Sequence, residues 1–266
     1  MPNPQFLKAA KRWMNPTVPE ARPVKPIPQN PLMSKTDDIN FSYLEGSEGE
    51  RIFKEYQTVA NKDYQGVSVF NNLSFKDNLV KGSDPFSFIL LNKILMKEGI
   101  WVASPSDLER CLRENDLDLK GTYGDSGLVL RSEGDPNSYL ASNLALQVKQ
   151  KLNLQYPLMI PLNGLDLGYD SNSPNNLAFK LTDKSEIIYA PELDNQNSDA
   201  KFNETNENGL PILDTNGTRT LYTGEGGLRR LYRNGNLNLG ARDRGLAYSD
   251  GSGRVVVCRE ATHTKK

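Results

Sequence analysis

The sequence predicts a mixed α/β or α+β fold, with a mixed-sheet core of about three helices followed by an antiparallel β meander. Three observations carry that expectation. Between residues 83 and 162, apolar runs at helical spacing alternate with short strand-like runs. After residue 162 the helical period fades, and short apolar alternations are separated by Asn-Gly and Asp-Gly turns. Hydrophobic residues make up 37% of the 266, with 21 glycines besides, a low share for a globular chain but enough for a core. The expected division is a basic proline-rich arm over 1–35, a mixed α/β core over 36–200, and an antiparallel β region with a basic end over 201–266.

Residues 15–31 hold six prolines, which forbid regular helix and favour an extended polyproline-like arm. Ahead of them, Phe6-Leu-Lys-Ala-Ala-Lys-Arg-Trp-Met14 sets Phe6, Ala9, Ala10, Trp13 and Met14 near one face of two basic turns. That segment is too short to hold a helix in water without a surface to dock on. Alternation in Gly66–Phe70 and Leu73–Lys76, around Asn71-Asn72, predicts a hairpin. Ser83-Asp84-Pro85 supplies an N-cap and a first-turn proline for a helix from Phe86 to Met96, and Gly99 stands where a left-handed residue ends it. Ile100–Ala103 predicts a buried strand, and Ser104-Pro-Ser-Asp107 caps a second helix carrying Leu108 and Leu112. Gly127–Arg131 predicts a third strand, Tyr139–Leu152 a third helix, and Pro157–Leu162 another buried strand.

Beyond these, Leu177–Leu181 and Glu186–Tyr189 predict strands, and the Asn/Asp-rich stretch from Asp194 to Asn208 predicts a mobile loop. Three hairpins are expected next. Leu210–Leu213 would pair with Thr218–Tyr222 across Asn216-Gly217, and Leu228–Arg233 with Leu237–Ala241 across Asn234-Gly235. Leu246–Ser249 would pair with Arg254–Cys258 across Asp250-Gly251.

The formal charge of −1 hides an asymmetry: residues 1–35 carry six Lys/Arg against one Glu, residues 36–220 carry 17 against 28, and residues 221–266 carry nine against four. Basic ends on an acidic body point to contact with a protein partner, another copy, or a polyanion such as RNA. The residues expected to make such contacts are Lys8, Lys11, Arg12 and Trp13 in the arm, and Arg229, Arg233, Arg242 and Arg254 on one face of the last strands. A solvated sheet face would carry the same arginines. No run approaches the ~18 apolar residues of a membrane span and no secretory leader is legible, so a cytoplasmic location is expected.

Inventory limits the chemistry. With one histidine, His263, and two cysteines, Cys111 and Cys258, far apart in the chain, neither a histidine-based triad nor a structural zinc site is built from this chain alone. The cysteines read as buried thiols, with a single disulfide as the alternative. No phosphate-loop, dinucleotide or calcium-loop motif occurs. The densest polar stretches flank the third strand: Tyr123-Gly-Asp125-Ser-Gly127 before it, and Arg131, Glu133 and Asp135 after it. The latter three could share one mouth, where Glu133 and Asp135 would hold Mg²⁺ or act as acid and base in a hydrolase or phosphotransferase. A turn and helix start account for the same residues.

The run from Gly227 to Val257, with Tyr64–Phe70, Lys81–Phe86, Leu128–Arg131 and Asn208–Leu213, resembles a family of proteins from small-genome archaea. The resemblance spans about residues 64–258 and leaves out the proline-rich arm. It implies an archaeal, non-secreted protein and no particular activity, cofactor or catalytic residue. Together these readings favour a non-enzymatic binding or assembly protein over the metal-dependent enzyme.

Overall fold

A computed structural model describes residues 38–261, so Lys8, Lys11, Arg12, Trp13 and His263 lie outside the described residues. The chain runs β1 (Ile39–Tyr43), α1 (Gly46–Asp63), β2 (Ser74–Lys76), β3 (Leu79–Lys81), α2 (Pro85–Leu95), β4 (Ile100–Val102), α3 (Pro105–Glu114) and β5 (Gly124–Leu130). It continues with α4 (Ser138–Lys151), β6 (Leu158–Pro161), β7 (Leu165–Tyr169), β8 (Leu177–Leu181) and β9 (Ile188–Tyr189). The last strands are β10 (Lys201–Thr205), β11 (Pro211–Leu213), β12 (Arg219–Thr223), β13 (Leu228–Arg233), β14 (Leu239–Ala241) and β15 (Val256–Glu260). The class is mixed α and β.

α2 is the centre of the core. Asp84 caps it, accepting from Ser87 N at 3.0 Å, and Pro85 occupies its first turn. Every residue but Lys93 is buried, which a helix reaches only when it is apolar on all sides. It packs against α1, β4, β5 and β7, and Phe86 stacks on Phe179 of β8 at 4.7 Å between ring centres. α3 starts with a full capping box between Ser104 and Asp107. α4 buries Leu140, Ala141, Leu144, Ala145 and Val148, the i, i+3, i+4 face that lies on β8. α1 has no counterpart among the expected elements, although Ile52, Phe53, Tyr56 and Ala60 form its buried stripe.

The principal sheet has eight strands in the order β11-β10-β12-β14-β13-β5-β6-β9, and β12–β14 is its parallel pair. A second sheet sets β15 between β1 and β4. The division expected at residue 200 falls inside both sheets, because β13 pairs with β5 and β15 pairs with β1 and β4.

Four local expectations are corrected. Ser68–Asn72 is a 3₁₀ turn, and the hairpin lies just beyond it, β2 with β3, where Asp77 and Asn78 both take the positive φ of a type I′ turn. The Asp194–Asn208 stretch contains β10, held by Phe202, which is fully buried. β10 lies between β11 and β12, so Leu210–Leu213 and Thr218–Tyr222 do not pair with each other. Leu246–Ser249 pairs with no strand: Val256–Cys258 is buried on both faces and takes the middle of its sheet. The Asn234-Gly235 hairpin is present, with Tyr232 opposite Gly240.

Cys111 and Cys258 are both buried free thiols, and burial pushes the Cys111 thiol up to about 11. Among the described residues no helix is long and apolar enough to cross a membrane.

Candidate functional site

Arg131 follows the last residue of β5 and turns its guanidinium toward backbone. Nε and Nη2 donate to Leu193 O at 2.9 and 2.7 Å, and Nη1 donates to Ala241 O at 2.9 Å. Burial, with Arg229 nearby, lowers its pKa to about 10. It lines a surface cleft of about 270 Å³ with Tyr156, Pro157, Asp194, Asn195, Glu225 and Gly226. Glu133 is engaged elsewhere: Lys149 Nζ donates to it at 2.5 Å and Tyr156 OH at 3.4 Å. The Lys149 hydrogen bond holds the Glu133 carboxyl below its usual range. Asp135 is exposed, and it is its backbone that packs, against the Gly226-Gly227 turn.

Arg131 therefore lines the cleft, whereas neither Glu133 nor Asp135 is among its lining residues. Among the described residues no three of His, Cys, Asp and Glu gather as a metal-binding group.

The four C-terminal arginines do not form one outer face. Arg233 is 2% exposed, and its Nη1 donates to Leu119 O at 2.9 Å and Asn234 O at 3.1 Å. The Leu119–Thr122 loop covers that end of β13, so a residue that strand alternation places outside is inside. Arg229 folds back on the carbonyls of Glu225, Gly226 and Arg242. Arg254 donates to the carbonyls of Gly251 and Gly253, both at 2.7 Å. Arg242 stays exposed, stacked 4.4 Å from the centre of the Tyr222 ring.

The densest buried polar cluster joins α2, β5 and β13. Arg230 Nε lies 2.8 Å from Asp125 Oδ1, with both side chains enclosed and the N–H aimed off the line to the oxygen. Ser83 Oγ donates to Asp125 Oδ2 at 2.7 Å and accepts from Asp125 N at 2.8 Å. Three tyrosines surround the guanidinium, with ring centres at 5.3 Å for Tyr123, 4.8 Å for Tyr232 and 5.9 Å for Tyr248. Burial pushes the Asp125 carboxyl up while Arg230 opposes the shift. Asp84, one residue after Ser83, is pushed up to about 7 by burial against the hydrogen bonds from Ser87 and Asn72.

The void beside Asp125 and Arg233 measures about 10 Å³, room for one water molecule and no substrate. The cluster is a joint, not a reaction chamber. Tyr123–Gly127 was legible as a polar stretch, but its partner Arg230 sits over a hundred residues on, where strand spacing alone gave it no role.

No known protein family, curated protein or solved structure matches the chain. The archaeal resemblance accordingly rests on its motifs alone.

Proposed function

We propose that this chain is a non-enzymatic binding or assembly protein whose basic arm contacts a protein partner or another copy. The observation that carries the reading is charge separation. Residues 38–261 hold 24 Lys/Arg against 31 Asp/Glu, while residues 1–37 hold six Lys/Arg against Glu20 and Asp37. A folded body with a surplus of acid and a segment with a surplus of base attract over a Debye length of about 10 Å and separate in salt. Support also comes from the candidate catalytic groups, since Arg131 is bound to carbonyls and Glu133 to Lys149. The C-terminal arginines contribute less to this reading than the arm does, because Arg229, Arg233 and Arg254 are hydrogen-bonded to their own backbone.

The test is light scattering after size exclusion on the full chain at low and high salt, with absorbance at 260 and 280 nm. A Lys8→Ala/Lys11→Ala/Arg12→Ala/Trp13→Ala variant is compared with it. Salt-sensitive association that the variant loses supports the reading. A clean monomer with no bound protein or nucleic acid at either salt removes it, and nucleic acid carried by the full chain replaces a protein partner with RNA.

A further inference from the structure

One end of the eight-stranded sheet opens into the cleft that Arg131 lines. β5 and β12 finish at that end, and β6 and β13 begin there, as their strand pairings require. Arg131 lies just past β5, Tyr156 just before β6 and Glu225 between β12 and β13, while Asp194 and Asn195 close the remaining side. The walls are fixed by their own hydrogen bonds. Arg229 Nε donates to Glu225 O at 3.0 Å and to Gly226 O at 3.3 Å. Thr223 Oγ1 donates to Asn195 O at 3.3 Å, and Asn195 Nδ2 to Glu225 Oε1 at 3.5 Å. A cleft formed in advance loses little freedom when it takes a ligand.

Its charged groups are left with unused hydrogen-bonding capacity of both kinds. A guanidinium carries five N–H donors, and Arg131 gives three of them to Leu193 O and Ala241 O, which leaves one on each terminal nitrogen. Asp194 Oδ1 accepts from Gln196 N at 3.1 Å, so Asp194 Oδ2 and Glu225 Oε2 have no donor among the described residues. The ion pairs of the described residues include none of the three side chains. Asp194 is close enough to oppose the fall in the Arg131 pKa, yet it does not pair with the guanidinium. A largely buried cation held only by neutral carbonyls is one that an anion would stabilise further. The cleft, at about 270 Å³, is smaller than the ~300–1,000 Å³ of sites for drug-sized molecules, so it suits a ligand of few atoms.

We propose that this cleft binds a small zwitterion of the free amino acid class, its carboxylate taken by the two remaining N–H groups of Arg131 and its ammonium by Asp194 and Glu225. A simple anion would face two unmatched carboxylates, and a simple amine would leave the Arg131 donors without a partner, so the arrangement selects a ligand carrying both charges. The site lies wholly in the folded body and does not depend on the basic arm.

The experiment titrates the isotope-labelled full chain with glycine, β-alanine, acetate and methylammonium in turn, and follows the backbone amide signals and the Arg131 Nε–H signal by NMR. At least one of the two amino acids should shift Asn195, Gly226 and Arg131 Nε–H saturably, and should bind about tenfold or more tighter than either half-ligand. An Asp194→Asn/Glu225→Gln variant keeps the side-chain shapes, and unchanged signals away from the cleft show that it folds. It should weaken amino acid binding about tenfold while leaving acetate no weaker. The absence of any saturable shift with both amino acids overturns the proposal. Acetate bound as tightly as the amino acids would make the cleft an anion site, and methylammonium bound as tightly would make it a cation site; either result also overturns it. So does amino acid affinity that is unchanged in the variant.

Discussion

Arg230 Nε lies 2.8 Å from Asp125 Oδ1 with both side chains enclosed, and this pair bridges β13 and β5 beside the point where their register slips. Removing either charge strands the other in the interior. Arg230→Met should therefore lower stability by about 3–5 kcal/mol, whereas Arg230→Met with Asp125→Leu should recover much of that loss. Denaturant midpoints at constant slope check it. A single variant within 1 kcal/mol of wild type would show that the tyrosines and Ser83, not the ion pair, hold the joint.

Asp84 couples the same region to pH. Its carboxyl is raised to about 7 in the folded chain, chiefly by burial, from an unfolded value near 3.8. A raised carboxyl means that the folded state binds the proton more tightly than the unfolded state does. Its stabilising share is fully present below about pH 4 and is lost as pH rises through 7, with a slope of at most about 1.4 kcal/mol per pH unit. Asp125 is shifted in the same direction and adds to the slope. Asp84→Asn keeps a good N-cap for α2 and should flatten this part of the profile. Thermal unfolding between pH 4 and 8 measures it, and an unchanged slope in the variant would assign the dependence to other groups.

The reach of the sequence can be judged element by element. α2 and α3 were legible because their signals are local: Asp84-Pro85 and Ser104–Asp107 carry cap chemistry within four residues. α1 carries a comparable stripe in Ile52, Phe53, Tyr56 and Ala60, but its mean polarity and its weakly marked start hid it. The pairings of β10 and β15 were not legible, because a strand's neighbours depend on partners far along the chain. β15 meets β1 across more than two hundred residues, and no turn chemistry links them. At the site, the strand that ends just before Arg131 was legible, but the cleft Arg131 lines was not, because Tyr156, Asp194 and Glu225 reach it from distant segments. Arg233 was misplaced, because strand alternation says which face a side chain takes but not that the Leu119–Thr122 loop covers it.

The Gly226-Gly227 turn offers a backbone prediction with its own control. Gly227 has φ +59°, and a Cβ there would come within 2.2 Å of Pro136 O. Neither a rotamer change nor a side-chain shift relieves contact with a carbonyl, so Gly227→Ala should cost more than about 2 kcal/mol. Gly251 has open space around its Cα and an ordinary φ, so Gly251→Ala should be neutral within about 0.5 kcal/mol. Paired denaturation curves decide it. Equal losses at both positions would mean that the close approach of the 224–227 turn to the Asp135-Pro136 segment is relaxed at little cost.

Arg219 and Glu109 form the other structural clamp, joining β12 to α3. Nη1 and Nη2 reach the two carboxylate oxygens at 2.5 and 2.6 Å, Nε donates to Leu237 O at 2.7 Å, and the guanidinium lies 4.4 Å from the Phe202 ring centre. The two side chains are only 14% and 7% exposed, so salt screens this pair far less than the surface pair of Lys54 with Glu50. A lysine at 219 keeps the charge but loses the planar fork, and with it the second carboxylate bond, the Leu237 contact and the stacking on Phe202. Arg219→Lys should therefore destabilise by about 2 kcal/mol, and the loss should be nearly the same at low and high salt. A double-mutant cycle with Glu109→Gln measures the coupling directly. Coupling that vanishes in high salt would place the pair with the exposed, screened bridges, and α3 would then be held by Leu108 and the Trp101–Asp107 hydrogen bond instead.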